Sequence, residues 1–183
     1  GEPGSGKSTA LRRYVSELNP ALFKPCYFSL STVTVLEFYQ GLAAELGEDP
    51  KHKKVDIFRQ IQGAISSSYY DRKVTPVIVL DEIHLASNKL LEDLRLIFNF
   101  KMDSWNPFIL ILVGQSLIRN KLALNVNSPL RQRLSVKYVM QGLEKGELRQ
   151  YCSSRLKHAG LHDDFFSDAA LEAINSITGG LPR

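Results

Sequence analysis

Gly1-Glu2-Pro3-Gly4-Ser5-Gly6-Lys7-Ser8 satisfies the pattern G-x-x-x-x-G-K-[ST] without a mismatch, and reading it decides the fold. Glycines at this spacing let the backbone turn tightly around a polyphosphate, so that successive N–H groups and the N-terminus of a following helix face negative charge. Gly1, Pro3, Gly4, Ser5 and Gly6 build that turn, and Thr9 sits in the first turn of the helix behind it. Lys7 adds a mobile positive charge for the β- and γ-phosphates. Ser8 offers a hydroxyl oxygen to Mg2+, which bridges the same phosphates. A nucleoside triphosphate with Mg2+ is therefore the expected ligand. A buried strand normally feeds such a loop. The reading expects one upstream of Gly1, a run of Val, Ile or Leu, and expects the sheet of this stretch to lack its central member.

Working outward, the next decisive stretch is Val77-Ile78-Val79-Leu80-Asp81-Glu82. A continuous β-branched apolar run bounded by Pro76 and two acids reads as a strand buried on both faces of a parallel sheet. Its end delivers Asp81 to a Mg2+ shell and Glu82 to the water in line with the γ-phosphate, where a general base is needed. An apolar run ending in acids is weak evidence alone and strong evidence downstream of a perfect phosphate loop. His84, just beyond, reads as a structural or surface residue. Phe108 to Val113 reads as another fully buried strand, ending at Gly114-Gln115, and the Gln115 amide at that strand end would touch the γ-phosphate or the attacking water.

The remaining elements follow from periodicity. Lys7 to Leu18 predicts a helix with Ala10, Leu11, Tyr14, Val15 and Leu18 on one buried face. Cys26 to Leu30 predicts a strand, and helices are expected over Val35 to Leu46, Asp56 to Tyr70, Ser87 to Phe100 and Ser116 to Leu122. Ser128 as N-cap and Pro129 at the first helical position begin another, and Val136 to Met140 predicts a last short strand. Alternating strands and helices mean a parallel α/β sheet covered on both faces. After Gly142 the pattern is helical only: Glu144 to Ala159 carries Leu148, Tyr151, Cys152, Arg155 and Leu156, and Ser167 to Ile177 turns Leu171, Ile174 and Ile177 inward. The expected domains are an α/β core over 1–142 and a partial helical lid over 143–183.

Composition bounds the rest. With 183 residues the chain suits one domain or a core plus part of a second. No apolar run approaches the roughly 18 residues a membrane helix needs. Cys26 and Cys152 lie far apart without a partner motif, which fits a reducing cytoplasm, the expected location. The net charge of +4 permits a polyanionic partner without requiring one. The basic run Lys51-His52-Lys53-Lys54 reads either as a solvated turn or as a nucleic-acid phosphate contact. No N-K-x-D guanine-reading motif follows a strand, which favours adenine.

Taken together, GEPGSGKST, VIVLDE, ILILVGQ, the S-P-L-R-Q-R-L segment and the helices reaching G-G-L-P-R resemble an AAA+ ATPase along the whole chain. More narrowly the chain resembles the general secretion pathway protein A (ExeA-type) family, a grouping that also takes in ATPases of bacterial transposable elements and is similar to the initiator-type AAA+ clade. The resemblance implies a P-loop NTPase with a three-layer α/β/α core and a helical lid. It implies ATP and Mg2+ at the interface of a homo-oligomer. By that likeness Gln115 takes the sensor-1 position, commonly Asn or Thr in the family. Arg133 takes the arginine finger given in trans, with Arg131 in reserve, and Arg183 matches the sensor-2 arginine of the lid. Two jobs are open. One is an ATP-dependent switch that binds target DNA and recruits a transposase, suggested by the basic pI and by the likeness of Leu30 to Tyr39 to transposition-type ATPases. The other is an ATPase serving a secretion component, and a non-hydrolysing scaffold is the third reading.

Overall fold

A computed structural model describes residues 1–30, 34–100, 104–161 and 165–183. Part of the Leu30 to Tyr39 stretch, residues 31–33, lies outside the described residues. Two compact units result, Arg12–Lys137 and Gly1–Leu11 with Tyr138–Arg183.

The larger unit is built on three parallel strands, β1 (Phe23–Ser29), β2 (Thr75–Asp81) and β3 (Ile109–Leu112), in the order β1-β2-β3. Parallel neighbours need crossover connections, and the helices α2 (Val35–Glu45), α3 (Lys54–Tyr70) and α4 (Asn88–Ile97) supply them. Val77 to Leu80 are fully buried and Asp81 nearly so, so both faces of β2 are covered, as its unbroken apolar run requires. α2 begins at a capping box, in which the Thr34 hydroxyl accepts from the Glu37 N–H and the Glu37 carboxylate accepts from the Thr34 N–H. The Ser87 hydroxyl caps α4 by accepting from the Leu90 N–H. Ile57, Ile61 and Ile65 of α3 and Leu90, Leu91, Leu94 and Ile97 of α4 carry the core, the i, i+4 spacing that marked these helices.

One polar cluster sits inside this apolar packing. Asp93 of α4 is 5% exposed and accepts from Lys54 Nζ at 2.7 Å and from the Tyr39 hydroxyl at 3.3 Å. The Lys54 ammonium also lies 5.1 Å from the Tyr39 ring centroid. Lys54 thus turns from the basic run toward the buried Asp93 carboxylate while its own side chain stays 43% exposed, and Lys51, His52 and Lys53 beside it are exposed as well.

Several expectations are corrected. β3 is not fully buried: Ile109 is 37% exposed and Leu110 to Leu112 are half-buried, because among the described residues β3 is paired on one edge only. Val136 to Met140 is no strand. A strand exists only as part of a ladder, none forms there, and Val136 and Tyr138 are 85% and 84% exposed. α1 (Lys7–Glu17) buries no residue: its stripe is narrow, with Leu11 and Val15 half-buried, Ala10 and Tyr14 exposed, and Leu18 half-buried just past its end. α4 stops at Ile97, with Phe100 bridged to Trp105 instead of extending it. After α5 (Leu117–Ala123), α6 (Ser128–Arg133) takes Ser128 inside its first turn, and Asn127 is the cap.

In the smaller unit, α7 (Lys145–His158) starts at a Glu144–Glu147 capping box and α8 (Asp168–Thr178) at the Ser167 hydroxyl, which accepts from the Ala170 N–H. The two pack with Leu148 and Leu171 buried, joined by Lys145–Glu172 and Arg149–Asp168 ion pairs. Tyr151, Cys152 and Leu156 are only half-buried and Arg155 is exposed. Ile177 does not point inward and is 85% exposed, because it falls off the face that meets α7.

Candidate functional site

The loop comes first. Gly4 and Gly6 adopt φ of +83° and +89°, a left-handed conformation that a side chain opposes, so the two glycines are required by the turn itself. The Ser5 N–H donates to the Glu2 carbonyl at 3.2 Å, tightening the turn. Ser5 Oγ is buried and makes no hydrogen bond among the described residues. Lys7 Nζ folds back over the turn and donates to the Gly1 and Glu2 carbonyls at 3.0 and 2.7 Å. Ser8 and Thr9, in the first turn of α1, are exposed. The Arg183 main chain runs beside Gly4: a Cβ on Gly4 would stand 2.8 Å from the Arg183 carbonyl oxygen. α8 leads to it through Gly179 and Gly180, and the Tyr151 hydroxyl donates to the Pro182 carbonyl at 3.2 Å.

The acidic half lies at the carboxyl end of β2. Asp81 is 4% exposed; its Oδ2 accepts from the Tyr27 hydroxyl at 3.0 Å and its Oδ1 from the Glu82 N–H at 2.8 Å. No basic side chain pairs with it among the described residues. Partial burial, and then the bond to Asp81, push the Tyr27 phenol above its ordinary range. Glu82 has φ +57° and ψ +31°, a left-handed conformation uncommon for this residue type and characteristic of constrained functional sites. That twist turns the chain into a short 3-10 turn, Ile83–Leu85, and leaves the Glu82 side chain 39% exposed.

His84, read from the sequence as structural or surface, belongs to this group. Its side chain is 8% exposed and its Nδ1 lies 3.3 Å from Glu82 Oε2 and 3.5 Å from the main-chain nitrogen of Gln115. Lys121 of α5 fixes the turn by donating to the His84 and Ala86 carbonyls at 2.8 and 2.7 Å. So the ends of β2 and β3 bring Asp81, Glu82, His84 and Gln115 together, with Tyr27 contributed by β1. On α6, Arg131 is exposed, whereas Arg133 is half-buried and donates to the Arg95 carbonyl at 2.9 Å.

The residues present fit the groups they were expected to hold. The loop offers left-handed glycines, an unpartnered buried hydroxyl and an ammonium parked on its own carbonyls. Asp81 offers a desolvated carboxylate without a cation, the hard oxygen donor Mg2+ takes.

A parallel α/β core, a G-x-x-x-x-G-K-S loop running into a helix, and a central strand ending Asp-Glu define a P-loop NTPase. Residues 1–122 match the AAA domain family, and the chain belongs to that family. The General secretion pathway protein A of Aeromonas hydrophila is 26% identical over 186 residues, covering 100% of this chain and 34% of that protein. The chain therefore spans about a third of the length of that relative. Among solved structures, Cdc6p from Pyrobaculum aerophilum superposes with a TM-score of 0.64 at 19% identity, over 97% of this chain and 46% of that one. The Aeropyrum pernix ORC1 protein, solved in complex with DNA, gives a TM-score of 0.61 at 20% identity, over 86% of this chain and 42% of its own. The fold is that AAA+ α/β fold. Among the described residues no helix is long and apolar enough to cross a membrane.

Proposed function

We propose that this chain binds ATP with Mg2+ and hydrolyses it as one subunit of a homo-oligomer, with the turnover serving an assembly of the general secretion type. The observation that carries hydrolysis, rather than binding alone, is the pair ending β2: a buried Asp81 without a basic partner among the described residues, followed by a left-handed Glu82 whose carboxylate reaches solvent. Lys7 moves from the carbonyls of Gly1 and Glu2 to the β- and γ-phosphates, and the N–H groups around Gly4, Ser5 and Gly6 take the phosphate oxygens. Ser8 and Asp81 hold Mg2+, which when bound neutralises charge on the transferring group. Glu82 accepts the proton of the attacking water, and Gln115 orients that water or the γ-phosphate. Residues 143–183 act as the start of a lid, with Arg183 on the nucleotide side. Arg133, or Arg131 in its place, is given to a neighbouring subunit's site; such a finger is worth on the order of a thousandfold in rate.

The secretion reading is favoured by the relative whose name carries that pathway and whose match spans all of this chain. A DNA-binding role, including recruitment of a transposase, keeps one supporting observation, the exposed Lys51-His52-Lys53 run. The test is ATP turnover by the full-length protein with and without duplex DNA at low and physiological salt. Lys7→Ala should abolish nucleotide binding, and Glu82→Gln should keep binding while losing at least about a hundredfold in turnover. Turnover untouched by Glu82→Gln would defeat the hydrolysis reading, and salt-sensitive stimulation by DNA would replace the secretion assignment with the DNA one.

A further inference from the structure

We propose that His84 is a positioning residue for Glu82, and that its Nδ1 is contested between the Glu82 carboxylate and the main-chain amide of Gln115. The inference rests on Glu82 being the base. The geometry is compact: Nδ1 is 3.3 Å from Glu82 Oε2 and 3.5 Å from the Gln115 nitrogen, and the imidazole is 8% exposed, so water does not compete freely for it. One ring nitrogen has one in-plane site, which is either an N–H or a lone pair. With a proton on Nδ1 it donates to Oε2 and holds the carboxylate; with a lone pair it accepts the Gln115 N–H and cannot hold Glu82. The two bonds exclude each other.

The turn that carries the ring is held against the end of β3. The His84 carbonyl is pinned by Lys121 Nζ at 2.8 Å, so the backbone of the turn does not drift. The turn is fixed further by the Ile83 N–H donating to the Val113 carbonyl at 2.9 Å, which ties it directly to the end of β3. Gly114 is the residue that makes room, since a Cβ there would stand 3.2 Å from the His84 nitrogen and 3.5 Å from Nδ1. A small displacement of the Gly114-Gln115 segment, the strand end facing the γ-phosphate in this reading, therefore changes which bond Nδ1 makes. His84 converts the position of that segment into the orientation of the base.

Asparagine places its amide nitrogen and oxygen where Nδ1 lies, whereas glutamine reaches instead to the position of Nε2, so the pair separates positioning from volume. At saturating Mg·ATP on the full-length protein, His84→Gln should lower kcat about tenfold or more, a part of what a general base contributes. Its nucleotide Kd should stay within about twofold of wild type, and His84→Asn should return kcat to within about threefold, since neither variant alters the phosphate-binding groups. Thermal melting of both variants checks that the turn is intact. Equal kcat in His84→Gln and wild type overturns the proposal, as does an equal fall in the Asn and Gln variants with unchanged melting, which would make His84 a packing residue. Loss of Kd in step with kcat overturns it too. Glu82→Gln, measured alongside, distinguishes these failures from a failure of the hydrolysis reading, since only the latter leaves that variant active.

Discussion

Replacing Asp81 by Asn separates its structural contribution from its role toward Mg2+. The wild-type carboxylate, 4% exposed, accepts from the Tyr27 hydroxyl at 3.0 Å and the Glu82 N–H at 2.8 Å. In the variant the amide oxygen still accepts from Glu82, and the amide nitrogen donates to the Tyr27 oxygen. Tyr27 is 48% exposed, so its hydroxyl hydrogen is free to turn toward water. Both bonds persist as neutral ones, each weaker by about 1 kcal/mol than its charged counterpart. Against that loss stands the removal of a desolvated charge with no basic partner among the described residues, worth a comparable amount or more. The terms oppose, and the nucleotide-free protein should change by no more than about 1 kcal/mol, or about 4 °C in melting temperature for a chain of this size. The ligand term behaves differently. Binding at a hundred times Kd stabilises by about 2.7 kcal/mol, a rise of roughly 5 to 10 °C. Melting in ATP with Mg2+, compared with ATP and chelator, should show the Mg2+-dependent part of that rise in wild type and lose it in Asp81→Asn. A retained Mg2+-dependent rise would refute the metal-ligand role. A fall above about 8 °C without nucleotide would show that the carboxylate holds the fold together and that the balance of terms above is wrong.

Three further outcomes are expected. Lys54→Ala should cost about 2 kcal/mol, because it strips a buried Asp93, whose Oδ2 lacks a partner among the described residues, down to one 3.3 Å bond from Tyr39; the neighbour Lys53→Ala should stay within about 0.5 kcal/mol, and equal effects in urea unfolding would dismiss the Lys54–Asp93 pair. Tyr39 is raised above its ordinary range by burial and then by Asp93, and Tyr27 by burial and then by Asp81. A phenol whose folded pKa exceeds its unfolded one, about 10, contributes stability that is complete below that pH and lost above it, so melting temperature should fall from about pH 10 upward, and Tyr39→Phe should flatten the fall. If the finger is given in trans, Arg133→Ala and Lys7→Ala subunits, each inactive alone, should recover turnover when mixed, toward roughly a quarter of wild type for random pairing at each interface. No recovery with Arg133→Ala but recovery with Arg131→Ala would assign the finger to the exposed arginine.

What the sequence reveals follows the range of the interactions involved. The loop from Gly1 to Ser8 is local: the left-handed turns at Gly4 and Gly6 and the start of α1 depend on residues within one or two turns, so their letters suffice. β2 is almost as legible, because burial on both faces demands an unbroken apolar run. β3 carries an equally apolar run and is half-exposed, since burial depends on what stands beside a strand as well as on its residues. Val136 to Met140 makes the same point more strongly: without a ladder, alternation and β-branching produce no strand. The residues missed at the site were hidden by geometry of the same non-local kind. Tyr27 reaches Asp81 because parallel register sets Ser29 opposite Asp81 and Tyr27 opposite Val79, placing the phenol diagonally from the carboxylate on one face. Nothing within either strand states that register. His84 reaches Glu82 because Glu82 adopts a conformation that glycine or asparagine would ordinarily advertise, folding residues 82 and 84 onto one side of a 3-10 turn. A glutamate at that position gives no such notice, so the strained residue and the partner it acquires become visible together or not at all.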